Sequence, residues 1–231
     1  MIPAILFWLL QRYRRNLQKA IGASIMIRKV KKRPCRIVAI LLFITLFLAL
    51  NGCTQNRSLN YRILRNGNKV GTLRFTESIS GNTNYLQLES DVKTRFIFTL
   101  TAHAEEQAIY SNGILLRSSI YRKLNGNEKA NKKHQFQNNR YVIQAGKNAV
   151  VSKIFPITYN MLSLYTREPS NISSVYSDNF ETSLEIQKAG VHKYKINFPD
   201  GNYNYYSYKD GILNEIEIHH SLYSANIVLT Q

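Results

Sequence analysis

The chain has 231 residues, of which 44% are hydrophobic, and its 31 basic and 14 acidic side chains give a formal net charge of +17. The apolar content excludes a disordered chain, because it is enough to build a core. The charge suggests a nucleic-acid partner until its distribution is considered: ten basic residues fall in the first 36 positions, and the first acidic residue is Glu77. The excess charge therefore belongs mainly to an N-terminal targeting segment, and we expect no nucleic-acid partner.

That segment predicts a lipoprotein export signal. Residues 37–50 read IVAILLFITLFLAL and directly follow a basic run. The stretch is shorter than the ~20 residues that a membrane-spanning helix needs, so it fits the apolar part of a signal peptide. The next residues, Leu50-Asn51-Gly52-Cys53, resemble a bacterial lipobox. We therefore predict that Cys53 is acylated and attaches the chain to a membrane, since two acyl chains give durable anchoring.

The same pattern sets the expected domain organisation and location. We predict an upstream extension over residues 1–25, a signal peptide over 26–52 that starts at Met26, a lipidated cysteine and tether over 53–60, and one β domain over 61–231. Under the alternative, residues 2–10 form an amphipathic element that touches a membrane. No Asp follows Cys53 to resemble an inner-membrane retention signal. The expected location is the bacterial outer membrane, facing the periplasm.

From Tyr61 onward the sequence predicts antiparallel strands. Residues 192–198 and 212–218 alternate apolar and polar side chains, which is typical of half-buried strands. Turn dipeptides interrupt these segments about every 10–15 residues, which leaves no room for crossover helices. They are Asn66-Gly67, Ser80-Gly81, Asn112-Gly113, Asn125-Gly126, Asn138-Asn139, Asp200-Gly201 and Asp210-Gly211. The predicted fold is mainly β: a long, curled antiparallel meander that forms a half-barrel or an open barrel.

One interval predicts a short helix. Residues 157–166 read ITYNMLSLYT, and their apolar side chains recur at helical spacing between Pro156 and Pro169. The apolar side of this helix must be covered. We therefore expect it to pack in or near the concave side of the sheet.

Four stretches of the chain carry a family resemblance: YRILRNGNKVG from Tyr61, NGILLRSSIY from Asn112, YNMLSLYTREP from Tyr159 and FPDGNYNYYSYKDG from Phe198. Together they resemble bacterial proteins grouped as domain of unknown function 6134. These proteins in turn look like the half-barrels of lipoprotein carriers, which implies a concave apolar face that holds acyl chains. The family brings no functional residues to transfer.

The candidate binding residues follow from this curled sheet. Residues predicted to line an apolar ligand site are Phe96, Phe98, Met161, Leu164, Ile196, Phe198, Ile216 and Ile218. A row of tyrosines, Tyr203, Tyr205, Tyr206 and Tyr208, is a candidate rim for the mouth of such a cavity. The alternative for this row is cross-strand aromatic pairing, which stabilises any sheet.

Catalytic and metal sites have weaker support. His103, Glu105 and Glu106 lie together in sequence, but strand alternation turns Glu106 away from the other two. For the same reason His219 and His220 face opposite sides and do not chelate one ion. The common hydrolase, nucleotide and zinc motifs are missing from the sequence. We therefore predict a protein that is not an enzyme and has no metal and no cofactor.

Three functions remain, ranked in this order. The first is a binder of an acyl chain or another apolar ligand. The second is a structural or interaction lipoprotein whose concave face is filled by its own helix, with an unknown protein partner. The third is a hydrolase that uses the surroundings of Glu105 or His219. The first two differ in whether Met161, Leu162 and Leu164 fill the curl or leave a pocket of ~300 Å³ or more.

Overall fold

The computed structural model describes residues 55–95, 99–146, 148–152 and 156–230. The export segment, Cys53, Phe96 and Phe98 lie outside the described residues, so the predictions made for them stay predictions. Within the described part of the chain, no helix is long and apolar enough to cross a membrane.

The described residues form fourteen strands and one 3-10 helix. β1 begins at Gln55, within the segment 53–60 predicted to be a tether, because it pairs with β2 from that residue onward. The elements in chain order are β1 Gln55–Arg65, β2 Asn68–Ser80, β3 Thr83–Arg95, β4 Thr99–Ser111, β5 Ile114–Leu124, β6 Asn127–Gln137, β7 Arg140–Ala145, β8 Asn148–Ser152, the 3-10 helix Met161–Tyr165, β9 Ser174–Ser177, β10 Thr182–Gly190, β11 Lys193–Asn197, β12 Tyr203–Lys209, β13 Ile212–His220 and β14 Tyr223–Leu229.

All fourteen strands belong to one antiparallel sheet, which confirms the predicted meander. Their spatial order is β8-β7-β6-β5-β4-β3-β2-β1-β14-β13-β12-β11-β10-β9. Every neighbouring pair is consecutive in sequence except β1 and β14, whose register places Tyr61 opposite Leu229. The order ends at β8 and β9, which do not pair with each other, so the barrel is open.

The hairpin turns follow the predicted dipeptides. At the β1–β2 turn, Asn66 and Gly67 both have positive φ, at 49° and 76°. This conformation matches the twist of two-residue hairpins and is accessible to asparagine and glycine. Asn112-Gly113, Asn125-Gly126 and Asp210-Gly211 adopt it as well.

The connection between β8 and β9 lies against the inner face of the sheet, and we call its residues 156–169 the inner strap. The predicted helix is present within it, but only Met161–Tyr165 are helical, with 3-10 geometry. Asn160 is extended, and the backbone N–H of Ser163 donates to its carbonyl at 2.9 Å. The helix is shorter than predicted because the backbone before Asn160 is bonded to the sheet instead.

One continuous core joins both arms of the sheet, the first of strands β1 to β8 and the second of strands β9 to β14, through the strap. Leu162, Leu164 and Tyr165 of the strap are buried among inward-facing side chains from β1 to β7 and from β9 to β14. The Tyr165 ring stacks on Phe75 with centroids 5.1 Å apart and meets Tyr61 edge-on at 5.7 Å. The strap therefore takes the place of a second layer in the core of the curled sheet.

Gly71 in β2 offers a sharp test of how closely β2 and β3 approach. A methyl group added to Gly71 would lie 2.3 Å from the carbonyl oxygen of Asp91 and 3.0 Å from the Cα of Val92. Both are backbone atoms, so β3 must shift to relieve the clash. We expect Gly71→Ala to lower the free energy of unfolding by about 2–3 kcal/mol in denaturant titrations. Gly190→Ala is the control, because its methyl would meet only the Lys193 side chain at 3.6 Å; equal stability of the two variants would contradict this account.

Candidate functional site at the inner strap

Tyrosine hydroxyls bond the strap backbone to the first arm of the sheet. The Tyr141 hydroxyl accepts from the backbone N–H of Ile157 at 3.0 Å and donates to the carbonyl of Leu115 at 2.9 Å. The Tyr110 hydroxyl accepts from the backbone N–H of Asn160 at 3.1 Å. Buried loop backbone is unstable without such partners. These tyrosines therefore let an irregular segment lie inside the sheet.

The second arm holds the other end of the strap in the same way. The Tyr208 hydroxyl of β12 donates to the carbonyl of Leu164 at 2.9 Å. At the same end of the strap, Nη1 of Arg57 in β1, a strand of the first arm, donates to the carbonyl of Thr166 at 3.0 Å. The strap is thus bonded to both arms of the open sheet.

A buried polar cluster lies beside the strap. Ser118 in β5 and His134 in β6 are direct register partners, and Asp178 follows β9. The Ser118 hydroxyl donates a short hydrogen bond to Oδ1 of Asp178, and Nδ2 of Asn160 donates to Oδ2 at 2.9 Å. All four residues are buried. The carboxylate therefore connects β5, the strap and the segment after β9.

Burial shifts the titration of both ionisable members of the cluster. Loss of hydration raises the pKa of Asp178 to about 6, against the hydrogen bonds from Ser118 and Asn160, which lower it. Loss of hydration also lowers the pKa of His134 to about 4. His134 Nδ1 lies 3.6 Å from Asp178 Oδ1, too far for a hydrogen bond, and neither ring nitrogen has a hydrogen-bond partner among the described residues. The lowered pKa of His134 favours the neutral imidazole at neutral pH.

This serine, histidine and aspartate do not have the geometry of a catalytic triad. In a triad, histidine bridges the serine and the acid and accepts the serine proton. Here Ser118 donates directly to Asp178, and the His134 side chain is fully buried. The arrangement suits a structural connection between distant strands. The sequence shows no local motif for it, because the three residues meet only through strand register and the curl of the sheet.

The predicted ligand-lining residues that the structure describes all take part in the core. Leu164, Ile196 and Ile216 are buried in it, and Met161, Phe198 and Ile218 pack against it while partly exposed. Two surface clefts, of about 500 and 450 Å³, occur in the described part of the chain, and none of the six predicted lining residues that the structure describes borders either one.

The tyrosine row divides between the two faces of β12. Tyr206 and Tyr208 are buried in the core. Tyr203 and Tyr205 are half-buried on the other face, where Tyr203 stacks on His219 with centroids 4.6 Å apart. The Lys195 ammonium lies 4.3 Å from the Tyr203 ring centroid. These cross-strand contacts are of the kind that the pairing alternative predicts.

The remaining residues considered for a catalytic or metal site make separate contacts. His103 contacts Asp91 at 2.8 Å and Glu105 at 2.9 Å, and these hydrogen bonds raise its pKa. Glu106 lies on the other face of β4 and pairs with Arg122. Within the described residues, no group of three or more His, Cys, Asp or Glu side chains is arranged to hold a metal ion.

An open antiparallel sheet rolled around its own connecting segment defines a β-barrel-like protein. The chain belongs to the family described as Domain of unknown function (DUF6134), whose family model matches residues 61–230. A solved structure, the beta-barrel-like protein of domain of unknown function DUF1849 from Brucella abortus, is similar with a TM-score of 0.50 and 9% identity, and the match covers 78% of this chain and 97% of that one.

At that identity the likeness shows the fold alone. No curated protein matches the chain. The comparisons do not confirm the resemblance to lipoprotein carriers, which stays a prediction.

Proposed function

We propose that the chain is an outer-membrane lipoprotein, anchored through acylated Cys53, whose periplasmic β domain is a non-enzymatic interaction module with a self-filled core. The observation that carries this proposal is the position of the strap. Leu164, at 0% exposure, is buried among the inward-facing side chains of the curled sheet, where an acyl chain would have to lie.

The bonding of the strap supports the same conclusion. A ligand that displaced the strap would break the bonds from Tyr110, Tyr141 and Tyr208 and leave backbone groups without partners. Each such loss costs about 1–3 kcal/mol. A filled and bonded interior favours a rigid surface for partners over a container. The non-enzymatic part of the proposal rests on the buried cluster, where Ser118 donates to Asp178 and not to His134.

The proposal is tested on the full chain purified from cells in mild detergent. Intact mass under denaturing conditions gives the covalent mass, and native mass spectrometry gives that mass plus any bound ligand. We expect a covalent mass that includes acyl chains on Cys53 and is lost in Cys53→Ala. We expect the native mass to equal the covalent mass, with no bound molecule that organic extraction removes.

Uptake of a fluorescent fatty acid provides the second readout. We expect no saturable uptake by the full chain, because the core is already filled. A discrete extractable mass together with saturable uptake would reject the interaction module and establish the ligand carrier instead. A covalent mass without acyl chains would reject the lipoprotein assignment alone.

A further inference from the structure

A cleft of about 500 Å³ opens between the inner strap and β9, the terminal strand of the sheet. Ile157 and Thr158 of the strap form one wall, and Ser174 and Ser183 belong to the other. Ile172 adds an apolar surface. The volume is in the range of sites that hold small molecules or short peptides.

The backbone at this cleft presents an open strand edge. The N–H of Tyr176 donates to the carbonyl of Tyr159 at 2.9 Å, and a parallel bridge joins Tyr176 to Asn160. Alternate residues of a strand direct their N–H and C=O groups to the same edge, so the backbone groups of Ser174 also face the strap side. Among the described residues, no backbone hydrogen bond joins Ser174 to the strap, because the cleft separates them.

The cleft also carries one positioned positive charge. The Arg167 guanidinium lies 5.7 Å from the centroid of the Tyr159 ring, and the Tyr159 hydroxyl donates to the Arg167 carbonyl at 3.1 Å. The first contact positions the guanidinium, and the second holds the Arg167 backbone at the cleft. Its described lining contains this cation and no Asp or Glu. The complementary group is a carboxylate, which arginine binds through two parallel hydrogen bonds.

We propose that this cleft binds the C-terminal end of an extended peptide, which pairs with the Ser174 edge of β9 and places its terminal carboxylate on Arg167. Peptides often add to sheets in this way, with affinity from backbone hydrogen bonds and specificity from side-chain pockets. Ile157 and Ile172 suit small apolar side chains of the peptide. The inference rests on the proposed function, since it names the partner class of the interaction module.

The test uses fluorescence anisotropy with the full chain in detergent. The probe is a pool of N-terminally fluorescein-labelled tetrapeptides, randomised over Ala, Ser and Val, with a free C-terminal carboxylate or with a C-terminal amide. We expect the free-acid pool to bind and the amide pool to bind at least about tenfold more weakly, because the amide lacks the charge. Arg167→Gln should produce the same loss, whereas Arg140→Gln, an exposed control in β7, should bind like the wild type.

Strand pairing is tested separately. Ser174→Pro removes the N–H that faces the cleft and keeps the bonds to β10, so an edge strand tolerates it. We expect this variant to melt within a few degrees of the wild type and to lose peptide binding, while Ser174→Ala binds normally.

Two results would overturn the peptide site: no anisotropy change with the free-acid pool at millimolar protein, or equal binding of acid and amide pools that Arg167→Gln leaves unchanged. Either result, combined with a native mass free of ligand, would leave the interaction module in place and remove only this site. An extractable native ligand together with saturable fatty-acid uptake would instead reject the module.

Discussion

Leu164→Ala is expected to lower the free energy of unfolding by about 3–5 kcal/mol. Leu164 is fully buried at the point where the strap meets both arms of the sheet. Truncation leaves a cavity whose walls, held by strands on either side, collapse only in part. The backbone carbonyl of Leu164 still accepts from Tyr208, so the loss reports side-chain packing. The measurement is denaturant unfolding followed by circular dichroism.

Leu222→Ala is the matched control, because Leu222 is 82% exposed in the β13–β14 turn and should change stability by less than about 0.5 kcal/mol. A second readout checks that a cavity has formed. Benzene should raise the melting temperature of Leu164→Ala and not that of the wild type, since apolar cavities bind small apolar molecules. A loss below about 1 kcal/mol would mean that the strap does not fill the core, and the interaction module would lose its main support.

The strands and turns could be predicted from the sequence because their signals are local. Residues 192–198 and 212–218 alternate with period two, and Asn-Gly pairs tolerate positive φ whatever surrounds them. The apolar spacing correctly predicts where the helix lies, but it does not predict the length of the helix. The bond from Asn160 N–H to the Tyr110 hydroxyl holds the backbone extended, and Tyr110 lies fifty residues earlier in the chain.

The candidate site needed the tertiary structure. Ser118 and His134 meet Asp178 only after β5 and β6 pair and the sheet curls to bring β9 against them. Strand parity alone would have indicated that His134 faces inward. The cleft at Arg167 depends on where the strap and β9 separate, and no sequence pattern marks that point.

The buried cluster should give two variants with opposite pH dependence. Asp178 has a raised pKa, so its folded form binds a proton more readily than its unfolded form, and this group stabilises the fold as pH falls from about 6 to 4. His134 has a lowered pKa, so its unfolded form binds the proton more readily, and this group destabilises the fold as pH falls from about 6.5 to 4. Each of these pKa changes corresponds to about 3 kcal/mol between the protonated and deprotonated forms. In the wild type the two effects oppose each other.

Each substitution removes the pH dependence that one residue contributes and leaves that of the other residue. Relative to the wild type, His134→Phe should gain stability as pH falls from 6.5 to 4, and its ring can keep the edge contact with Tyr176. Asp178→Asn should lose stability relative to the wild type as pH falls from 6 to 4. It also starts lower at neutral pH, because the charge-assisted hydrogen bonds from Ser118 and Asn160 are replaced by weaker bonds to a neutral amide. Unfolding titrations at half-unit pH steps measure both profiles.

The signs of these profiles decide the charge state of the cluster. Asp210→Asn, on an exposed turn, is the control and should run parallel to the wild type across this range. If His134 were charged and paired with Asp178, its folded pKa would be raised and that of Asp178 lowered, so both slopes would reverse. Reversed slopes would make the cluster a buried ion pair. Slopes with the expected signs establish a neutral histidine beside a carboxylate held by Ser118 and Asn160, the arrangement that connects the strap and β9 to β5.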